Sequence, residues 1–541
     1  MHRTLRPLLA AMLALAAAAA CDDEPAGPPA IAAITISAPA TVVELGDTLR
    51  LTATATDARG RAITGTPIGW TSLEAAVAEV DSTGLVTAVE VGSARIVAAV
   101  GSHADTVALT IIAAPKTVVV LAPRNALVLG DTVTLTASAL DAKGRPLPDA
   151  PIEWSVSDTT VLRVDETGLV RGVGFGAASV QAASGSASGL AEITVGPREV
   201  PVPAGVEFVA VSVGYTHACA LTSGGQAYCW GVNNFGQLGT GDRVARDTPT
   251  PVIGGHTFTL IDAGQESTCA LGEDSRIYCW GRNTHGTIGL GTNTPPYVEV
   301  PTVAAGGMSF AHIGLSQHMS TCGATPEDVV YCWGRNDVYQ LGRAPQESVD
   351  TAIAPLGTDV GLRWVDGWMF HTCGLTPAGE AYCWGQPRGG ATGVDPNDPA
   401  PWWVAKQVAG GHAFVKLALG DARTCGITTS GAAYCWGENS NGQLGNGTIG
   451  DYSPTPMPVT GGHTFVDIGA NVGVTCGLTA GGEIYCWGWN IDGSLGNAWM
   501  ERSPQPIRVD GDHTYRAIGM GWYGVCAIRT DGRLVCWGDL P

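Results

Sequence analysis

The stretch Cys219-Ala220-Leu221-Thr222-Ser223-Gly224-Gly225-Gln226-Ala227-Tyr228-Cys229-Trp230-Gly231 decides how this chain is read. Two short alternating runs flank a glycine turn, the pattern of a tight antiparallel hairpin. About a centre at Gly224, residues whose numbers sum to 448 face each other, so Leu221 meets Ala227 and Cys219 meets Cys229. Cysteines directly opposite on neighbouring strands lie within disulfide reach.

The same unit occurs seven times. Its cysteine pairs are Cys219 with Cys229, Cys269 with Cys279, Cys322 with Cys332, Cys373 with Cys383, Cys425 with Cys435, Cys476 with Cys486 and Cys526 with Cys536. Each second cysteine is followed by Trp-Gly, and successive first cysteines are 50, 53, 51, 52, 51 and 50 residues apart. A near-constant period of that length, rich in Gly and aromatics, indicates propeller blades. Each pair is expected to form a disulfide within its blade, closing a loop of about ten residues worth up to ~3 kcal/mol in the chain-entropy picture. Metal ligation is the rival reading. Zinc sites usually bring a second close ligand pair, and no Cys-x2-4-Cys occurs in the chain, so no metal is expected.

A typical unit has four strands, called a to d here: in the first, Val209 to Val213, Cys219 to Thr222, Gln226 to Trp230, and a Pro-Val strand around Pro251. The seventh unit stops at Gly538-Asp539-Leu540-Pro541 without a d strand, whereas Pro201 to Phe208 supplies a matching segment ahead of the first unit. The N-terminal segment is therefore expected to complete the last blade, with d outermost and a nearest the axis, leaving no long open sheet edge. Antiparallel order then sends the a–b and c–d loops to one face and the b–c and d–a turns to the other.

From about Ile31 to Gly196 two copies of another pattern stand 84 residues apart. Leu45-Gly46-Asp47 recurs as Leu129-Gly130-Asp131, Trp70 as Trp154, and Asp81…Gly84-Leu85-Val86 as Asp165…Gly168-Leu169-Val170. Short alternating runs broken by Gly-Asp and Arg-Gly pairs read as small antiparallel sandwiches around one large buried aromatic. The motifs resemble group 2 bacterial immunoglobulin-like domains, over nearly all of both copies. A spacer role is favoured over adhesion, since no exposed aromatic cluster is evident.

Arg3 and Arg6 precede an apolar run from Leu8 to Ala20, too short to span a bilayer, that ends at Cys21. This resembles a bacterial lipoprotein signal, which implies lipidation of Cys21, the one cysteine among 15 outside the seven pairs. Ala18 departs from the aliphatic residue usual there, and cleavage at an Ala-x-Ala site by the ordinary signal peptidase stays open. The expected organisation is a signal peptide (1–20), an acidic Pro-rich tether (21–30), two immunoglobulin-like domains (31–113 and 114–197) and a seven-bladed β-propeller (198–541). The fold class is thus all-β: two immunoglobulin-like β-sandwiches followed by the propeller.

The Cys-Trp-Gly triplets, with elements such as Gly236-Gln237-Leu238-Gly239 and Gly442-Gln443-Leu444-Gly445, resemble the regulator of chromosome condensation repeat family across about 198–541. The resemblance implies a seven-bladed propeller; the paired cysteines depart from it and suit an exported variant. Residues that recur identically, such as the Trp of each triplet and His256, His412, His463 and His513, are read as structural. Residues that break the repeat on the loop face are the candidates for partner binding: Tyr215, His217, Phe235, Trp368, Phe370, Arg423, Trp489, Trp522 and Tyr523. Aromatics with Arg have the composition of an interface centre, although some of them are also placed to plug the channel.

The net charge of −20 repels phosphate backbones, which argues against nucleic-acid partners. No His-Glu-x-x-His, Gly-x-Ser-x-Gly, phosphate loop or EF-hand calcium loop occurs, so neither catalytic residues nor a cofactor is expected. The leading expectation is a non-enzymatic, exported binding protein, lipid-anchored in the bacterial cell envelope (inner or outer membrane, or cell surface). It presents a monomeric propeller head to a protein or glycan, touching the membrane only through its lipid. A propeller-based lyase or hydrolase is one alternative. Guanine-nucleotide exchange, by analogy with the eukaryotic founder of the repeat family, is another.

Overall fold

The glycine turn of the cysteine hairpin serves two blades at once. Gly225 sits at φ +75°, and a Cβ there would come within 2.5 Å of Thr257 Cγ2 and 2.8 Å of the Phe258 carbonyl oxygen in the next blade. That closeness lets the Phe258 N–H donate to the Gly225 carbonyl at 2.8 Å, a bond repeated from Phe414 to Gly379, Phe465 to Gly431 and Tyr515 to Gly482. A computed structural model describes residues 30–344, 348–353, 360–394, 400–490, 493–496, 500–509 and 513–539. Cys21 and the expected signal segment lie outside the described residues.

The described residues group into two compact units, one comprising the described part of Met1–Val119 with Ser138–Ile152 and Ala183–Ser188, the other Val120–Ala137, Glu153–Ala182 and Gly189 onward. In the first, strands Val42–Glu44, His103–Ile112, Gly92–Val100 and Gly69–Ser72 make one sheet; Ala33–Ser37, Thr52–Thr56 and Ala62–Ile63 make a second. Thr48–Arg50, Leu85–Ala88 and Ala78–Val80 make a third, and Leu45, Leu51, Val86, Ile96 and Leu109 fill the core. The second sandwich repeats the four-stranded sheet with Ala126–Val128, Ala187–Gly196, Gly176–Ser184 and Glu153–Val156 in the same order.

The shared Asp-x-x-Gly-Leu-Val motif explains itself locally. Asp81 Oδ1 accepts the N–H of Thr83 (2.8 Å) and Leu85 (2.9 Å), and Asp165 Oδ1 accepts those of Thr167 (2.9 Å) and Leu169 (3.0 Å). Gly84 and Gly168 both hold φ +82°, and the indoles of Trp70 and Trp154 lie where a Cβ would be, at 2.9 Å. Both indoles are half-buried over these turns rather than sunk in the core, which corrects the expected central aromatic.

The propeller is seven four-stranded sheets, in each of which a, b, c and d are neighbours in that order. Blade 1 holds Phe208–Val213, His217–Thr222, Ala227–Gly231 and Arg246–Pro251. Cys219 faces Cys229 in its register, their Cα atoms are 4.1 Å apart, and a disulfide joins them. The other six blades are closed the same way, at Cα separations of 4.0–4.1 Å. Cys269 is bonded to Cys279, Cys322 to Cys332 and Cys373 to Cys383. Cys425 is bonded to Cys435, Cys476 to Cys486 and Cys526 to Cys536, so all seven pairings are as expected.

Blade 7 (Tyr515–Met520, Gly524–Arg529, Leu534–Gly538) receives its outer strand from Arg198–Val200, with Arg198 opposite Cys536 and Val200 opposite Leu534. Closure by the N-terminal segment is therefore as expected. The strand itself lies just ahead of Pro201 rather than within Pro201 to Phe208. Arg516 strengthens the seam, donating to Glu207 and to the Phe208 carbonyl at 2.6 Å each.

Adjacent blades are bolted by the Trp of the triplet. In five blades its Nε1–H donates to a carbonyl in the preceding blade's c–d loop: Trp280 to Gln237 (2.9 Å), Trp333 to Thr287 (2.9 Å), Trp384 to Gln340 (3.0 Å), Trp436 to Ala391 (2.9 Å) and Trp537 to Ser494 (3.1 Å), whereas Trp487 Nε1 is buried without a partner. The Asn that opens each of several loops shapes it. Asn233 Oδ1 accepts the Leu238 N–H at 2.9 Å, as Asn336 does from Leu341 at 3.0 Å and Asn439 from Leu444 at 3.1 Å.

Candidate functional site

The a–b loops form a hydrogen-bonded collar at one end of the ring. Tyr215 N–H donates to Gly264 (3.2 Å), Trp522 N–H to Gly214 (3.4 Å), Val472 N–H to Trp522 (3.4 Å) and Asp421 N–H to Asn471 (3.4 Å). On this collar aromatic rings from three blades meet. Tyr215 stands edge-on to Trp522 at 5.0 Å, Trp522 lies 6.5 Å from Trp368, and Tyr523 lies 6.2 Å from Trp522. Blade 4, which carries Trp368, is far around the ring from blades 7 and 1. The contact therefore spans the axis and roofs the channel, with Trp368 beneath and Trp522 and Tyr215 outermost.

Of the loop-face candidates, Tyr215 (43% exposed) and Trp489 (41% exposed) reach solvent, and Phe235, Phe370, Trp522 and Tyr523 are half-buried. Arg282 stands 5.0 Å over the Phe235 ring and Arg388 stands 4.9 Å over that of Phe370. A second aromatic group, Tyr339 with Trp402 and Trp403, each 5.7 Å away, extends the face over blades 3 and 4.

The structure places three candidates inside the ring instead: His217, Trp368 and Arg423 are buried. Strand b begins at position 217 rather than 219, so His217 and Arg423 belong to it and point into the next blade. Thr268 Oγ1 donates to the Gln237 carbonyl at 2.8 Å, so its contact with His217 Nε2, also 2.8 Å, has the histidine as donor. His371 repeats the arrangement on Thr424 (2.8 Å), which donates to Ala391 (2.9 Å). Burial pushes both imidazoles down to about 3, so they stay neutral.

Arg423 takes the same repeat position and donates to Thr475 Oγ1 (3.1 Å) and to the carbonyls of Val472 (3.1 Å) and Val474 (2.6 Å) in blade 6. Desolvation lowers its guanidinium to about 10, still charged at neutral pH. These residues vary along the repeat because the seams differ in chemistry, a histidine in two and an arginine in a third, a signal that in sequence looks the same as surface variation.

On the opposite face His256, His412 and His463 lie against the tyrosines of strand c, with centroids 4.3 Å from Tyr278, 4.0 Å from Tyr434 and 3.9 Å from Tyr485. Sequence reading missed Phe175, which is buried edge-on to Trp537 at 6.4 Å, both within the second compact unit. The available signal was a break in the duplication: Val91, exposed, occupies that position in the first copy.

The regulator of chromosome condensation (RCC1) repeat profile matches residues 208–237, 258–287, 414–443 and 515–539, and a second profile of the same repeat matches 224–271 and 430–478. The bacterial Ig-like domain (group 2) matches 30–111 and 116–195. The chain is similar to the ultraviolet-B receptor UVR8 of Arabidopsis thaliana, 30% identical over 313 residues, covering 56% of this chain and 68% of that one. It is also similar to the E3 ubiquitin-protein ligase HERC2 of Homo sapiens, 28% identical over 363 residues, but spans only 6% of that protein's length and 64% of its own. The same fold is found in Prp20p from Saccharomyces cerevisiae (TM-score 0.52, 19% identity, 61% of this chain and 82% of that one). Human WBSCR16 shares it as well (TM-score 0.55, 17% identity, 65% and 92%). Seven four-stranded blades on one ring and this degree of similarity lead to one assignment: the chain belongs to the regulator of chromosome condensation (RCC1) repeat family.

Proposed function

We propose that this chain is an exported, envelope-anchored binding protein that offers the a–b and c–d loop face of its propeller to a protein partner, with the two sandwiches as spacer. The observation that carries this reading is the group Tyr215, Trp522 and Tyr523: ring edges gathered on a hydrogen-bonded collar, exposed or half-exposed, on a face fringed by Arg282 and Arg388. Aromatic and Arg side chains held rigidly on one face are what interface centres use. The yeast relative by fold, Prp20p, binds Gsp1p and histones, so a ring of this kind is able to dock on proteins.

The test is capture from periplasmic or outer-surface extract with the intact exported protein, followed by affinity measurement on the captured partner. Trp522→Ala and Tyr215→Ala should weaken binding by roughly tenfold or more, as truncation of an interface anchor does. His463→Ala, on the opposite face, should leave it unchanged. Loss on His463→Ala with binding retained in the other two would move the site to the turn face. Capture by purified glycans alone would replace the protein reading with a lectin one.

A further inference from the structure

Strands a of all seven blades line a cavity of about 440 Å³ on the axis of the ring, beneath Trp368. At one position of strand a, five blades carry Ser212, Gly314, Ala418, Gly469 and Gly519, whereas blades 2 and 4 carry Asp262 and Asp366. Asp262 accepts from Ser212 Oγ (3.1 Å) and the Leu315 N–H (2.8 Å), and Asp366 accepts from the Gly367 N–H (2.8 Å). Neither forms a direct ion pair among the described residues, although the charge of Lys416 acts to lower both carboxyls. The lysine of the cavity, Lys416, is paired with Asp467. Burial pushes the Asp262 carboxyl up to about 6 and that of Asp366 well above its ordinary range, the charge of Asp262 adding to the latter.

Three polar atoms of residues lining the same cavity are buried without a hydrogen-bond partner, His312 Nε2 among them. Gln317, 3% exposed, donates its Nε2–H to the Ala263 carbonyl at 3.1 Å, which leaves Oε1 as a bare acceptor. Trp368, 5% exposed, has a bare Nε1–H donor. Buried polar groups left this way are costly unless something pairs with them. Aromatic surface completes the cavity: Trp364, stacked on His312 at 5.4 Å, lines it beside Trp368. His312 is itself pushed down to about 4 by burial and is neutral.

Carboxylates, a free amide carbonyl and indole rings recognise an organic cation, and one bare N–H suits an oxygen on the same molecule. An anion would meet two carboxylates against one lysine that Asp467 already engages. A hydrocarbon would leave every polar atom unpaired. No group of three His, Cys, Asp or Glu able to hold a metal ion occurs among the described residues. We propose that the axial cavity beside blades 2, 3 and 4 binds a small hydroxylated ammonium ion, its charge held by Asp262 and Asp366 and its substituents by Gln317, Trp364 and Trp368. This site adjoins the loop-face surface only where Trp368 meets Trp522, and its test uses a small cation with no protein partner, so the failures of the two readings are distinguishable.

Calorimetric titration of the intact exported protein with ethanolammonium chloride at neutral pH tests it. Saturable binding is expected, with net proton release seen as a buffer-dependent heat, because the bound cation favours the ionised carboxylates. D366N should weaken binding by roughly tenfold or more, as loss of a charge-assisted contact does, with the melting midpoint held. Q317M provides a second, uncharged variant with the same expectation of weaker binding should D366N fold poorly. Absence of binding to the wild type at millimolar probe, equal binding of neutral ethylene glycol, or tighter binding of calcium chloride would each overturn the proposal.

Discussion

Among single residues, the clearest consequence of the ring is the pair of neutral histidines in its seams. His217 and His371 are pushed down to about 3 from an ordinary 6.5. Between those values the unfolded chain takes up protons that the folded one refuses, so their contribution to stability is complete above pH 6.5 and is lost as pH falls towards 3. The expected loss is on the order of 1 kcal/mol per pH unit for each histidine. Asp262 and Asp366 work in the opposite sense: their raised folded values add stability at low pH that disappears as pH rises through about 6 for Asp262. A comparison that cancels the carboxylates is therefore needed. Denaturant midpoints of the wild type and of a double variant, His217→Gln with His371→Gln, measured from pH 7.5 to 5, should converge as pH falls. Parallel curves would show that these imidazoles are not buried neutral. Neither histidine could be assigned from sequence, because the Thr268 and Thr424 hydroxyls that receive them come from the next blade.

The hairpin is the element most fully legible in the chain. Its register, the facing cysteines and the disulfides all follow from a two-residue alternation about a glycine turn, a purely local rule. Strand ends were less legible. Strand b starts at His217 because the collar bond from Gly214 to His217 and the seam with Thr268 extend the ladder two residues past what alternation alone suggests. The closing strand shows the same limit. Its partner, Leu534–Gly538, is over 330 residues away, so the pattern announced that an N-terminal strand was needed while pairing decided that it is Arg198–Val200. Deleting those three residues from the full-length protein should lower the melting midpoint of the propeller clearly, since Leu534, Val535 and Cys536 lose their neighbour and blade 7 gains an open edge. An unchanged midpoint would mean that the ring closes through another strand.

For the molecule taken entire, membership of the repeat family and the order of sandwiches before propeller were readable from periodicity, because each repeat buries its own residues in the same way and so keeps the same letters. The proposed envelope anchor belongs to this level too. Replacing Cys21 by Ala should release the protein from membranes into the soluble fraction, and retention of the variant on membranes would overturn the proposed anchor. Local order came from the amino acids unaided: hairpins, disulfide pairs, turns built on Asp81 and Asp165, and the number of blades. Packing of blade on blade settled which repeat-breaking residues look outward and which look inward. Tyr215 and Trp522 stand at the surface while His217, Arg423 and Trp368 fill seams and roof the axis. Asp262 and Asp366, two blades apart in the chain, line one axial cavity. The cause is that a residue's exposure in a ring depends on the blade beside it, and hydrophobic periodicity within one blade carries no information about its neighbour.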